Sequence, residues 1–193
     1  MYTIQNQNSY EIEIKKSKFI SKIYKVNDIE EVNNILSCLK SEYNDATHIC
    51  YAYIINTYKK SSDDGEPGGT AGIPILKVLE KNNLSYVLCV VIRYFGGIKL
   101  GAGGLVRAYT KVTSNVIEES NIVELISGYE IKVIVDYDKQ KNLENIIKNA
   151  IYIKNFDEKV SYTIQCDKNV LDTIELNNIQ YTIIKEIYIQ KKN

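Results

Sequence analysis

The chain has 193 residues, no net formal charge, 45% hydrophobic and 25% charged content. That length suits one large domain or two small ones, each able to bury a core. The neutral balance excludes a generally basic nucleic-acid binder, so any anion site must be local. No apolar run is long enough to cross a membrane and the polar start, Met1 to Tyr10, lacks the apolar run of a signal peptide. The expectation is a cytoplasmic protein with no membrane partner, its scattered Cys38, Cys50, Cys89 and Cys166 being reduced thiols.

Tyr10 to Val26 alternates with period two and reads as extended chain. Asn27 fits a helix cap with Glu30 three residues on, and Ile29, Val32, Leu36 and Leu39 mark one helical face. His48 to Ile55 reads as a strand and Ser61 to Gly72 as a loop; Pro74 suits the first turn of a helix ending near Lys81. Tyr86 to Ile92 is a continuous apolar run, as in a central strand. A loop from Tyr94 to Gly101 leads into a helix marked by Leu105, Tyr109, Val112 and Val116. Beyond it, strands at Tyr129–Tyr137, Ile151–Phe156, Ser161–Gln165 and Tyr181–Ile189 and helices at Lys139–Ala150 and Val170–Leu176 give the order βαββαβ, the ferredoxin-like plan. The expectation is an α+β protein of two two-layer α/β sandwich domains, residues 1–127 and 128–193, divided at Ser127-Gly128.

Nine of the ten glycines and both prolines fall between Gly65 and Gly104, a concentration that marks a purpose-built loop region. From Lys81 to Ile117 there is no Asp or Glu, and this stretch holds Lys81, Lys99, Lys111 and the chain's two arginines, Arg93 and Arg107. In a sequence that otherwise uses lysine, arginine points to a bidentate partner such as phosphate or carboxylate. Gly101, Gly103 and Gly104 feed the N-terminus of a helix, where free N–H groups favour an anion, with Arg107 in its first turn and Lys111 one turn on. The candidate anion or nucleic-acid site is therefore Arg93, Lys99, Gly101, Gly103, Gly104, Arg107 and Lys111, with Tyr94 and Phe95 placed to stack on bases. The spacing is neither a Walker A loop nor a Rossmann fingerprint. The same glycines also serve tight turns and close packing, and the arginines can instead pair with the acidic loop. In that loop, Asp63, Asp64 and Glu66 can hold a hard cation such as Mg²⁺, cap their own backbone, or pair with Arg93 or Arg107. His48, the sole histidine, faces the same side of its strand as Cys50. It reads as a buried, hydrogen-bonded group supporting the site, as does Thr70, in preference to a Cys-His dyad.

The segments Asp45-Ala46-Thr47-His48, Asp64-Gly65-Glu66-Pro67, Gly69-Thr70-Ala71-Gly72 and above all Arg93 to Tyr109 (RYFGGIKLGAGGLVRAY) resemble the signature of the IMPACT/YigZ family. The likeness is strong from Ser17 to Ser120; Ile49 and Gly68 depart from it. It implies an N-terminal domain like ribosomal protein S5 domain 2 and a C-terminal domain like the last domains of elongation factor G. Both suggest RNA or the ribosome by fold analogy. Eukaryotic relatives carry an extra N-terminal RWD domain and restrain an amino-acid-starvation kinase. This chain opens directly on its first strand, so the resemblance is to the bacterial-type members.

The leading expectation is a translation-associated regulatory factor, not an enzyme, that binds RNA or the ribosome without DNA sequence specificity or a required cofactor. A translation-related protein is a second expected partner. The competing readings are an enzyme or binder for a small phosphorylated ligand with Mg²⁺, and a protein-interaction module.

Overall fold

The computed structural model describes residues 1–191. After a short strand β1 (Tyr2–Ile4), the period-two segment forms an antiparallel pair, β2 (Asn8–Ile14) and β3 (Ser17–Lys25). Lys15 and Lys16 turn the chain between them at φ of 48° and 63°, the left-handed conformation that matches hairpin twist. Helix α1 (Ile29–Glu42) begins one residue later than its sequence suggests, because Asp28 is the cap and not Asn27. The Asp28 side chain accepts from Glu31 N at 2.8 Å, and the Glu31 carboxylate accepts from Asn27 N at 2.8 Å, a reciprocal pairing of free donors. Ile29, expected on the buried face, lies at the helix entrance and is exposed, whereas Val32, Leu36 and Leu39 are buried.

Strand β4 (His48–Ile55) pairs with an additional strand, β5 (Tyr58–Ser62), which takes up the start of the segment expected as loop. Helix α2 (Gly72–Lys81), strand β6 (Val87–Tyr94) and helix α3 (Ala102–Glu118) follow. The antiparallel sheet runs β2-β3-β6-β4-β5. β6 is buried on both faces, which explains its unbroken apolar run. Leu88, Val90 and Ile92 pack with Val32, Leu36 and Leu39 of α1. Val87, Cys89 and Val91 pack with Ile75 and Leu79 of α2 and Tyr109 and Val112 of α3.

The chain divides into a first unit, Met1–Val123, and a second that begins at Glu124. Ser127-Gly128, the expected boundary, falls inside strand β7 (Ile122–Val135), where the strand pairing runs on through Gly128. The second unit continues with α4 (Gln140–Ile146), β8 (Ile151–Phe156), β9 (Val160–Cys166), α5 (Lys168–Leu176) and β10 (Tyr181–Gln190). Its strands lie in the order β10-β7-β9-β8, all antiparallel, so the βαββαβ order closes into one sheet. Ile131, Val133, Tyr162 and Ile164 form its core with Leu143, Leu171 and Ile174 of the two helices. Among the described residues, no helix is long and apolar enough to cross a membrane.

After β6 the chain presses against the β2–β3 turn. A Cβ added at Gly96 would lie 1.9 Å from the Lys16 carbonyl oxygen, and Gly96 N donates to Ser17 Oγ at 3.2 Å. Gly97 has open space around it and only its φ of 83° resists a side chain. We therefore expect Gly96→Ala to cost about 3 kcal/mol, lowering the melting midpoint by roughly 6–12 °C. Gly97→Ala should cost about 1 kcal/mol. Thermal unfolding followed by circular dichroism checks both.

Candidate functional site

The ends of β4 and β6, the 63–71 loop and the start of α3 meet around a cleft of about 410 Å³. Register sets its floor, because His48 on β4 stands directly opposite Arg93 on β6, which is also opposite Phe19 on β3. Arg93 is only 5% exposed. Its Nη1 donates to Glu66 Oε1 at 2.5 Å, and its Nη2 lies 3.5 Å from Ser17 Oγ. The guanidinium carbon lies 5.3 Å from the centroid of the Phe19 ring and 5.6 Å from that of Phe95. The acidic loop and this basic strand therefore meet, and Arg93 is committed to a carboxylate of its own chain.

Glu66 Oε1 also accepts from Tyr109 OH at 2.8 Å, and Cys50 Sγ donates toward Tyr109 OH at 3.3 Å and the Asp63 carbonyl at 3.0 Å. Burial pushes the Cys50 thiol up to about 12, so it stays protonated and unreactive at neutral pH. Burial likewise raises the Tyr109 hydroxyl, and the neighbouring Cys50 and Glu66 add to the rise, so it remains a donor. These values argue against a Cys-His nucleophile. His48 Nδ1 meets the Asp64 carbonyl oxygen at 2.8 Å, and its Nε2 lies 3.8 Å from Glu66 Oε2.

The three loop carboxylates do not converge. Asp63 accepts from the backbone N–H groups of Gly69, Ala71 and Gly72 at 2.8, 3.0 and 2.8 Å, and so caps α2 from a distance in sequence. Asp64 accepts from Ile49 N at 2.6 Å, and Glu66 turns inward to Arg93. Among the described residues, no group of three or more His, Cys, Asp or Glu side chains is arranged to hold a metal ion. Thr70 donates to the Pro67 carbonyl at 2.6 Å and braces the loop.

The remaining predicted residues divide between the cleft and the surface beside it. Phe95, Lys99 and Gly101 line the cleft, together with Thr47, Leu100 and Leu105. Gly101 precedes α3 at φ 71°, which glycine adopts freely, and no side chain caps the helix or places an acid in its first turn. Gly103 and Gly104 lie in that first turn, and the Arg107 guanidinium folds back over it, with Nη1 3.6 Å from where a Gly103 Cβ would stand. Arg107 and Lys111 are exposed on α3 outside the cleft lining. Tyr94 packs toward α1, its hydroxyl donating to Asp45 Oδ1 at 2.9 Å, so it is separated from Phe95. Sequence reading put Tyr109 on the helix face and Tyr109 and Thr47 in the family signature, but gave neither of them, nor Ser17, a place in the site. A tyrosine on the buried face of α3 was the available signal, because a buried phenol needs a partner.

Burial works to raise the Asp63 carboxyl, but its backbone donors outweigh that and hold it below its ordinary value. Its stabilisation is thus complete above about pH 4 and is lost as pH falls through the depressed folded value. We expect Asp63→Ala to cost about 1–2 kcal/mol at pH 7, with the gap from the parent chain narrowing below about pH 4. Denaturant unfolding across pH 2.5–7 checks the direction.

The family model described as the Impact N-terminal domain matches residues 15–117. The IMPACT family member YvyE of Bacillus subtilis (strain 168) is 39% identical over 155 residues, 79% of this chain and 71% of that protein. The IMPACT family member YigZ of Escherichia coli (strain K12) is 42% identical over 102 residues, covering 50% of each chain. A crystal structure of a hypothetical protein superposes with a TM-score of 0.71 at 25% identity, covering 95% of this chain and 97% of the other.

Proposed function

The chain belongs to the IMPACT family, and from that premise we propose that it is a translation-associated regulatory factor in the cytoplasm that binds RNA or the ribosome. The family resemblance implies the translational role. One observation carries the choice of partner: the uncapped N-terminus of α3 opens beside Lys99 and under the Arg107 guanidinium, with Lys111 exposed further along the helix, on a stretch without a single acid from residue 81 to 117. The helix dipole and free N–H groups favour a phosphate there, and the lysines and Arg107 add mobile positive charge. Phe95, 45% exposed at the cleft, supplies an aromatic face for a base. Arg93 serves a different purpose in this reading. It neutralises Glu66, so that the cleft does not repel an anion, and it holds Phe95 from one side.

A small phosphorylated ligand remains the second reading, favoured by the concavity of the cleft and by His48 at its wall. It differs in predicting saturable binding by a small molecule alone.

Binding to ribosomes and to structured RNA should weaken steeply as salt rises from 50 to 200 mM, on the order of tenfold or more for a few phosphate contacts. The triple variant Lys99→Ala/Arg107→Ala/Lys111→Ala, whose side chains are exposed, should fold normally and show a shallower salt slope. An unchanged slope in the folded variant would remove these residues from the interface. Absence of binding at low salt would reject the RNA reading.

A further inference from the structure

This inference rests on the reading of the cleft mouth as an RNA-binding surface, and concerns what the cleft itself holds. His48 Nδ1 lies 2.8 Å from the Asp64 carbonyl oxygen. A carbonyl can only accept, so Nδ1 carries a proton, and in the neutral tautomer consistent with that bond Nε2 is an acceptor. That Nε2 stands 3.8 Å from Glu66 Oε2. Glu66 receives both of its donors, Arg93 Nη1 and Tyr109 OH, on Oε1. In that tautomer two acceptors sit side by side at the cleft, one on a side chain only 3% exposed, and among the described residues neither receives a hydrogen bond. Paired acceptors that open on a cleft favour a ligand that brings donors. Nearby, Arg93 Nε is a buried donor without a partner. Phe95, held from one side by the Arg93 guanidinium, is 45% exposed. Lys99 and the uncapped start of α3 line another part of the same cleft.

We propose that the cleft receives one unpaired guanine nucleotide of an RNA. The guanine N1–H and its exocyclic amino group donate to Glu66 Oε2 and His48 Nε2. The base lies against Phe95, and the phosphate meets the first turn of α3 and Lys99. Guanine is the one RNA base with two adjacent N–H donors on its Watson–Crick edge. Adenine and cytosine place an amino group beside a ring acceptor, and uracil places one N–H between two carbonyls. Each of those leaves one of the paired acceptors facing another acceptor, which a polar site rejects. Unpaired bases, splayed out and read on that edge, are the usual targets of sequence-reading RNA binders. A volume of about 410 Å³ is enough for a nucleotide.

Isothermal titration of the full chain with GMP, AMP, CMP and UMP tests this. GMP should bind about tenfold or more tighter than UMP. His48→Ala leaves the Glu66–Arg93 pair intact and should cut that preference to about twofold or less, while Phe95→Ala weakens all four together. Equal binding of the four, or a guanine preference that survives His48→Ala undiminished, overturns the proposal. So does a folded chain that binds none of them. If that same chain still binds ribosomes in a steeply salt-dependent way, the phosphate-binding surface stands without the guanine pocket.

Discussion

The ion pair between Glu66 and Arg93 is the interaction on which the rest of the first unit's functional end depends. Arg93 belongs to the central strand and is flanked in register by His48 and Phe19. Glu66 belongs to the glycine-rich loop. Joining them ties an otherwise irregular segment to the buried central strand of the sheet. The loop then presents Asp63 to the start of α2, Asp64 to the edge of β4, and its backbone to His48 and Cys50. Two buried charges gain little net stability from each other after desolvation, but removing one partner strands the other at a cost of about 3–5 kcal/mol. Such a pair fixes one arrangement more than it adds stability, and a loop that must shape a cleft needs that fixity.

The same pair sets the chemistry of the cleft. Its two charges cancel, and among the described residues Oε1 of Glu66 takes both hydrogen-bond donors, Arg93 Nη1 and Tyr109 OH. What is left facing outward is a carboxylate oxygen, an imidazole nitrogen, an aromatic ring and a helix start without a cap. The positive character of the surface comes instead from Lys99, Arg107, Lys111 and the α3 dipole. Cys50 and Tyr109, both held in their protonated forms, act as internal donors that complete the network. This division of labour accounts for the presence of arginine at both positions. Inside, Arg93 needs several fixed donors in one plane to bridge Glu66 and Ser17. Outside, Arg107 lies back across the first turn of its helix.

Much of the fold was legible because its signals are local. The bounds of β4 and β8 follow from their composition, the continuous run of β6 from burial on both faces, and the α3 core from Leu105, Tyr109, Val112 and Val116. The errors share a cause as well. Asn27 and Asp28 are both good caps, and only the three-dimensional reach of Glu31 decides between them. Ser61 and Ser62 look like loop until β5 is seen to pair with β4. Ser127-Gly128 looks like a boundary until β7 is seen to run through it. At the site, the string from Arg93 to Tyr109 announced itself, but not which arginine turns inward. That depends on a carboxylate 27 positions away. Likewise, three acids in four residues suggest a cation site, whereas the backbone sends each to a different partner.

The central claim is that the cleft between His48, Glu66, Phe95 and the start of α3 is the surface that meets RNA. Amide chemical shifts of the isotopically labelled full chain, followed during titration with a short single-stranded RNA containing unpaired guanines, test it most directly. The account predicts that the largest and earliest changes fall on Thr47, Phe95 and residues 99 to 105, with saturation at one equivalent. Changes centred instead on the second unit, or spread thinly over exposed lysines without saturation, would contradict it.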